Sequence, residues 1–194
     1  MATYLGTHGS KIQNYTTDPD NPNTGEVWYN ETANTLKFQY PATTSSWAIG
    51  GSLNTARNVL AGAGIKTSSL VFGGSTGSTV GNTESYNGSN WTEVADLNTA
   101  RVQLAGAGVS NTSALGAGGE TPGSRQTVTE TWNGSNWTEV NDLNTARNNA
   151  GGDGTNTSAL VFGGEISTGV TAVTESWNGT NWTEVSDLNS GRKI

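Results

Sequence analysis

The 194-residue chain carries 16 Asp and Glu against 9 Lys and Arg, a net charge of −7, and only 32% of its residues are apolar. No basic cluster is present, which argues against a surface that tracks phosphates, and the lack of cysteine excludes disulfides, thiol catalysis and Cys-based zinc sites. Met1-Ala2-Thr3-Tyr4-Leu5-Gly6 lacks the charged start and apolar core of a secretory signal, and no apolar run approaches the roughly 20 residues that span a bilayer. Neither nucleic-acid binding nor membrane insertion is therefore expected.

In chain order, residues 1–25 are polar and turn-rich. The stretch Thr17-Asp18-Pro19-Asp20-Asn21-Pro22-Asn23-Thr24-Gly25 suits neither a long helix nor a central strand. It reads either as an extended arm, ordered on a partner, or as a loose terminus. Residues 26–50 change character. Glu26-Val27-Trp28-Tyr29-Asn30 and Leu36-Lys37-Phe38-Gln39-Tyr40 predict two short strands joined by the five-residue loop 31–35. Trp28, Tyr29, Phe38 and Tyr40 exceed what a two-stranded unit buries by itself, so they are candidate anchor residues for a neighbouring surface.

From residue 51 the chain repeats. Glu84-Ser85-Tyr86-Asn87-Gly88-Ser89-Asn90-Trp91-Thr92-Glu93-Val94 returns at 130–140 and 175–185. Leu53, Leu97, Leu143 and Leu188 stand 44, 46 and 45 residues apart, a period that signals a solenoid, propeller or array. The units are 51–96, 97–142 and 143–187, and 188–194 starts a fourth. Each predicts four strands, in the first copy near 58–65, 69–72, 82–86 and 91–94, with Asn-Gly at a tight hairpin turn. Low apolar content with much Gly, Ser, Thr and Asn would by default mean disorder. The repeats oppose it, with Trp91, Trp137 and Trp182 expected to be buried between neighbouring sheets.

A second marker precedes each hairpin: Leu70-Val71-Phe72-Gly73-Gly74, then Leu115-Gly116-Ala117-Gly118-Gly119, then Leu160-Val161-Phe162-Gly163-Gly164. A double glycine after an apolar strand, then an aromatic, then Trp about five residues later resembles the kelch motif. The resemblance covers residues 53–187 and implies an all-β fold of three four-stranded, antiparallel β-propeller blades. The middle copy departs from it and is expected to pack less apolar volume. Ala61-Gly62-Ala63-Gly64 and Ala105-Gly106-Ala107-Gly108 suit the crowded innermost strand, where blades approach closely. Asp153 breaks that pattern and reads as a loop carboxylate on solvent. Propellers have four to eight blades, so ring closure is incomplete in this chain. A fragment of a longer chain, two chains making six blades, or the hairpin covering an edge would each resolve it.

His8 is the only histidine and nothing places it in a catalytic relay. Glu84, Glu130 and Glu175 recur with Arg57, Arg101 and Arg147. Such recurrence argues for framework ion pairs, because an active site is normally assembled once; Glu130 is expected to meet Arg147 or Arg101. Kelch-like propellers include a copper oxidase, whose Tyr, Cys and His ligands this chain does not supply. No catalytic residue, metal site or cofactor is expected. The loops after the glycine pairs diverge while the strands are nearly copied. Ser75, Thr76, Ser78, Thr79, Glu120, Arg125, Gln126, Glu165, Ile166 and Thr168 are therefore candidate binding residues on one loop face, with neutral drift at solvated tips the competing reading.

The Gly-acidic-x-Trp-Tyr-Asn hairpin around Trp28 is similar to one near the start of many tailed-phage fibre and virion proteins. With the blades, the chain resembles kelch-like virion structural proteins of marine tailed phages. That resemblance implies a non-enzymatic particle component, in a fibre, baseplate or head decoration. It would be anchored by its N-terminal segment to other virion proteins, prone to self-association, and able to touch a host receptor or glycan. The alternative is a free intracellular kelch-type protein-interaction module.

Overall fold

The computed structural model describes residues 12–20, 26–38 and 50–194. The chain divides into two compact units between residues 49 and 50, and among the described residues every regular element is a β-strand.

In the first unit, β1 (Gln13–Tyr15) pairs parallel with β2 (Val27–Asn30), which pairs antiparallel with β3 (Thr35–Phe38). The predicted arm thus contributes an edge strand. The connecting loop is 31–34, one residue shorter than read from sequence, and Asn34 takes a left-handed conformation at φ 53°. Tyr40 lies outside the described residues, as does His8. Trp28 is buried, Tyr29 half-buried and Phe38 51% exposed. Asp18 ties the unit together: its carboxylate accepts from Trp28 Nε1 at 3.0 Å and Asn30 Nδ2 at 2.7 Å, and pairs with Lys37 Nζ at 2.5 Å.

The second unit is three four-stranded antiparallel sheets, each in sequential order. The first is β4 (Ala61–Ile65), β5 (Ser68–Phe72), β6 (Thr83–Tyr86) and β7 (Trp91–Val94). The second is β8 (Ala105–Ser110), β9 (Ser113–Ala117), β12 (Thr129–Trp132) and β13 (Trp137–Val140), with the small hairpin β10 (Glu120–Thr121) and β11 (Ser124–Arg125) between β9 and β12. The third is β14 (Gly151–Gly154), β15 (Ala159–Phe162), β18 (Thr174–Trp177) and β19 (Trp182–Val185), with the hairpin β16 (Glu165–Ile166) and β17 (Gly169–Val170). The predicted strands of the first copy are met within about three residues. The Asn-Gly turns are looser than a two-residue hairpin. Residues 87–90 form the loop, Gly88 takes φ 95°, and the Asn87 side chain accepts from the N–H groups of Ser89 and Asn90, both at 2.9 Å. An Asn side chain thus replaces a backbone turn bond.

Side chains alternate across each strand, so every sheet has two faces. On the first sheet, Leu70, Phe72 and Thr83 point toward the second sheet, where Trp132 and Trp137 meet them in one apolar core. Leu115 and Ala117 of the second sheet meet Trp177, Trp182 and Val161 of the third in another. The Phe72 and Trp137 rings stand 4.8 Å apart between centroids. At the next interface Ala117 takes the place of Phe72, and Gly116 leaves room behind it: a Cβ there would lie 2.8 Å from the Phe72 ring. The departure in the middle copy thus accommodates its neighbour's phenylalanine.

Between sheets the innermost strands touch backbone to backbone. A Cβ on Gly106 would come within 2.5 Å of the Gly62 carbonyl oxygen, and one on Gly152 within 2.7 Å of that of Gly106. The double glycines carry the same constraint in the loops. Gly118 and Gly119 take φ 65° and 95°, and a Cβ on either would sit 2.7 Å from a carbonyl of the adjoining loop. Gly73, Gly74, Gly163 and Gly164 repeat this in the outer copies.

Trp137 and Trp182 are buried, and Trp91 is not: it is half-exposed, and its indole N–H donates to the Gly51 carbonyl at 3.1 Å. Within residues 50–194 no four-stranded sheet stands on its side. Val71 is half-exposed for the same reason. At the other end Leu160 is 42% exposed and Phe162 half-exposed, while their first-sheet counterparts Leu70 and Phe72 are fully buried.

Candidate functional site

Three buried sockets recur. In each, a glutamate on the third strand of a sheet is encircled by the loop that leads into that sheet. Glu130 accepts from the backbone N–H of Asn98 at 2.8 Å, Asn98 Nδ2 at 2.9 Å, the N–H of Thr99 at 3.3 Å and Arg101 Nη2 at 2.9 Å. Glu175 is held in the same way by Asn144, Thr145 and Arg147, and Glu84 by Asn54, Thr55 and Arg57. All six charged side chains are wholly withdrawn from solvent. Glu130 therefore pairs with Arg101; Arg147 belongs to Glu175. Burial pushes the Glu84 carboxyl up, but hydrogen bonds from the Asn54 amide and Arg57 outweigh it and leave it below the ordinary range. Desolvation lowers the Arg101 guanidinium, with Glu130 opposing. The three carboxylates, enclosed and bonded in this way, tie each entering loop to its sheet.

Arg57 is seated differently from its counterparts. Arg101 Nη1 donates to the carbonyls of Gly118 and Val128, both at 2.6 Å, and Arg147 Nη1 to those of Gly163 and Val173. Arg57 reaches the Gly73 carbonyl through Nε instead, which leaves its Nη2 buried with no hydrogen-bond partner.

The loop face is where the divergent segments lie. Of the candidate binding residues, Glu120, Arg125 and Glu165 are brought together, and they bind one another's loops. Arg125 Nη2 pairs with Glu165 at 3.0 Å and its Nε donates to Asn148 Oδ1 at 3.1 Å. Asn148 Nδ2 donates to Gln103 Oε1 at 2.9 Å and to Glu120 Oε2. Lys193 Nζ closes the far side on Glu165 at 2.7 Å, and this contact, ahead of Arg125, holds the Glu165 carboxyl below its ordinary range. Gln126 Nε2 folds back on Thr121 Oγ1 at 2.8 Å. Ser75 bridges Asn58 and Thr79, and Thr76 donates to the Ser78 carbonyl, so the first loop bonds locally. Thr76, Ser78 and Thr168 are exposed tips; Thr79 and Ile166 are half-buried. The face is a cross-braced rim whose exposed hydroxyls include those of Thr76, Ser78 and Thr168. Sequence reasoning missed Asn148, Gln103 and Lys193, which lie in the copied segment following each framework arginine. Their signal was divergence inside that segment: the two residues after Arg57, Arg101, Arg147 and Arg192 are Asn-Val, Val-Gln, Asn-Asn and Lys-Ile.

Beside this rim a line of backbone bonds crosses all three sheets. Gln103 donates to the Val59 carbonyl at 2.9 Å, Asn149 to that of Gln103 at 2.9 Å and Ile194 to that of Asn149 at 3.1 Å. Val59, Gln103 and Asn149 sit at φ 48°, 55° and 51°, an uncommon setting for a β-branched residue such as Val59. Their side chains, with Leu60, Leu104 and Ile194, line an open recess of about 220 Å³.

Among the described residues no group of three or more His, Cys, Asp and Glu is placed to hold a metal ion, and no helix is long and apolar enough to cross a membrane. Asp153 is exposed and lies in β14, not in a loop, with Oδ1 accepting from the Gly154 N–H at 2.8 Å. No protein-family model and no curated protein matches the chain. Among the described residues the chain is all-β, and its second unit repeats one four-stranded antiparallel sheet three times.

Proposed function

We propose that the chain is a non-enzymatic structural component of a tailed-phage particle, a fibre, baseplate or head-decoration protein, held by its N-terminal unit and displaying kelch-like propeller blades. The observation that carries this reading is the division of labour between the two units. Among the described residues of the first, Leu36 is 60% and Phe38 51% exposed, on a sheet of three short strands. Such a patch suits docking on another virion protein. The second unit is built of three copies of one supersecondary module whose charged groups hold the framework. Its rim presents Thr76, Ser78 and Thr168 to solvent, fitting contact with a host glycan or receptor. The resemblance of the Trp28 hairpin to those of virion proteins supports the same reading. A free intracellular interaction module is less well supported, because Glu120, Arg125 and Glu165 on the loop face are already bonded across it.

The test is a chain beginning at Gly51, expressed beside the full chain during particle assembly. The shortened protein is expected to keep its β-sheet circular-dichroism signal and to be absent from purified particles. Incorporation at the level of the full chain would overturn the anchor assignment.

A further inference from the structure

We propose that the recess beside the loop rim binds one neutral sugar ring of a glycan, with the side-chain amides of Gln103 and Asn149 holding its hydroxyls and the aliphatic lining taking its C–H face. The proposal deepens the host-contact part of the proposed function and rests on it for a surface glycan as the source; the site itself is argued from its residues.

The recess, of about 220 Å³, is lined by Val59, Leu60, Gln103, Leu104, Asn149 and Ile194. At about 30 Å³ per water, that corresponds to roughly seven waters. It is smaller than the roughly 300–1,000 Å³ of a drug-sized pocket and suits a single six-membered ring. Four of the lining residues are aliphatic, and no charged side chain is among them. A charged ligand would give up water there without meeting a counter-charge, which is unfavourable. A ligand with C–H groups on one face and hydroxyls around its edge meets both kinds of lining.

The rim network decides which way the Gln103 amide points. Arg125 Nε can only donate, and it meets Asn148 at 3.1 Å. The atom it meets is therefore Asn148 Oδ1, and Asn148 Nδ2 is left to face Gln103 at 2.9 Å and Glu120. Nδ2 only donates, so the Gln103 atom opposite it is Oε1. Both N–H bonds of Gln103 Nε2 are thereby left without an acceptor among the described residues, on a side chain that lines the recess. Asn148 is 4% exposed, so its amide has no alternative orientation toward water. Asn149, half-buried beside it, adds an amide whose side chain forms no hydrogen bond among the described residues. A sugar hydroxyl is both acceptor and donor. It accepts from Gln103 Nε2 and donates to Asn149 Oδ1.

The arrangement is made once. The sockets around Glu84, Glu130 and Glu175 recur in every copy and serve the framework. Between the first and second sheets, the residues that correspond to Gln103 and Asn148 are Val59 and Val102, whose side chains form no hydrogen bond. Gln103 and Asn149 also hold φ of 55° and 51°, pinned by the backbone bonds to the Val59 and Gln103 carbonyls, both at 2.9 Å. Val59 shares that conformation at φ 48°, so the side chains, not the loop, single out this place. Two amides fixed before a ligand arrives lose little freedom on binding it.

The experiment is an NMR titration of the full chain that reads the side-chain amide signals of Gln103 and Asn149. The probes are the methyl glycosides of glucose, galactose, mannose and N-acetylglucosamine, with sialic acid as a charged sugar and N-acetylglycinamide as a peptide mimic. At least one neutral glycoside is expected to shift both amides, with a dissociation constant of about 1–20 mM. Gln103→Met, of similar length without the donors, should weaken binding about tenfold. Asn149→Gly, which removes the amide and suits the positive φ, should weaken it likewise, and Ser78→Ala at an exposed tip should leave it unchanged. No shift with any neutral glycoside up to about 50 mM overturns the proposal, as does a response to sialic acid or N-acetylglycinamide at least as strong. Binding lost in Ser78→Ala but kept in Gln103→Met overturns the recess as the site. Sugar binding by a chain that is absent from purified particles leaves the proposal standing and counts against the virion reading; incorporation into particles without any sugar shift does the reverse.

Discussion

The indole N–H of Trp137 donates to the Thr83 hydroxyl across 3.0 Å, joining the second sheet to the first at a point sealed from solvent. Trp182 and Thr129 repeat the bond one sheet further on. Large side chains wedged between sheets compensate for the small apolar content, and their polar edges are satisfied by the neighbour.

Replacing Trp137 by Ala should therefore destabilise the second unit by about 3–5 kcal/mol, read from urea unfolding. Trp137→Phe should cost less, leaving chiefly the lost bond to Thr83. Trp91→Ala should cost least of the three in the isolated chain, because that ring is half-exposed.

Removal of one partner from a buried socket should be as severe. Arg101→Ala leaves the Glu130 carboxylate enclosed without its counter-charge, a loss of about 3–5 kcal/mol. A paired Glu130→Leu and Arg101→Leu variant should be closer to the parent than Arg101→Ala alone. Equal losses in chemical denaturation would show that charge burial is not what holds that loop.

Gly106→Ala adds one methyl where a Cβ meets the Gly62 carbonyl at 2.5 Å. The innermost strands must move apart, at about 1–3 kcal/mol. Gly77→Ala, in open space but at φ 111°, should leave the spacing between sheets unchanged. Thermal unfolding and small-angle scattering of the two variants check this.

In the first unit, the hydrogen bond from Lys37, then those from Asn30 and Trp28, lower Asp18 to a pKa of about 2. A depressed carboxyl contributes stability above its unfolded value of 3.8, and that contribution is lost as pH falls through about 2. An NMR titration should place the Asp18 midpoint near the lower value, with the Trp28 indole N–H shifting in step. Lys37→Ala should move the midpoint upward.

The repeat was legible because its strands, turns and glycines obey local rules. The period near 45 residues located the sheets, and alternation within Leu70-Val71-Phe72 gave each its two faces. The recurrence of Glu and Arg announced framework ion pairs, but sequence spacing alone left Arg101 and Arg147 equally good partners for Glu130. The fold decided for Arg101, because the loop entering a sheet wraps that sheet's own third strand. The candidate loop residues were legible as positions and misleading as free groups, since only the approach of neighbouring hairpins reveals that Arg125 is bonded to Glu165.

What the sequence determined by itself is the module: four strands, a glycine pair with positive φ, an Asn-capped turn and a tryptophan, all set by contacts within about 45 residues. What only the tertiary structure decided is which copies of that module are covered. Trp91, Trp137 and Trp182 stand in nearly identical local sequences, yet one is half-exposed and two are buried. Burial depends on a neighbouring sheet supplied from elsewhere in the chain, and no local pattern encodes whether that neighbour is present.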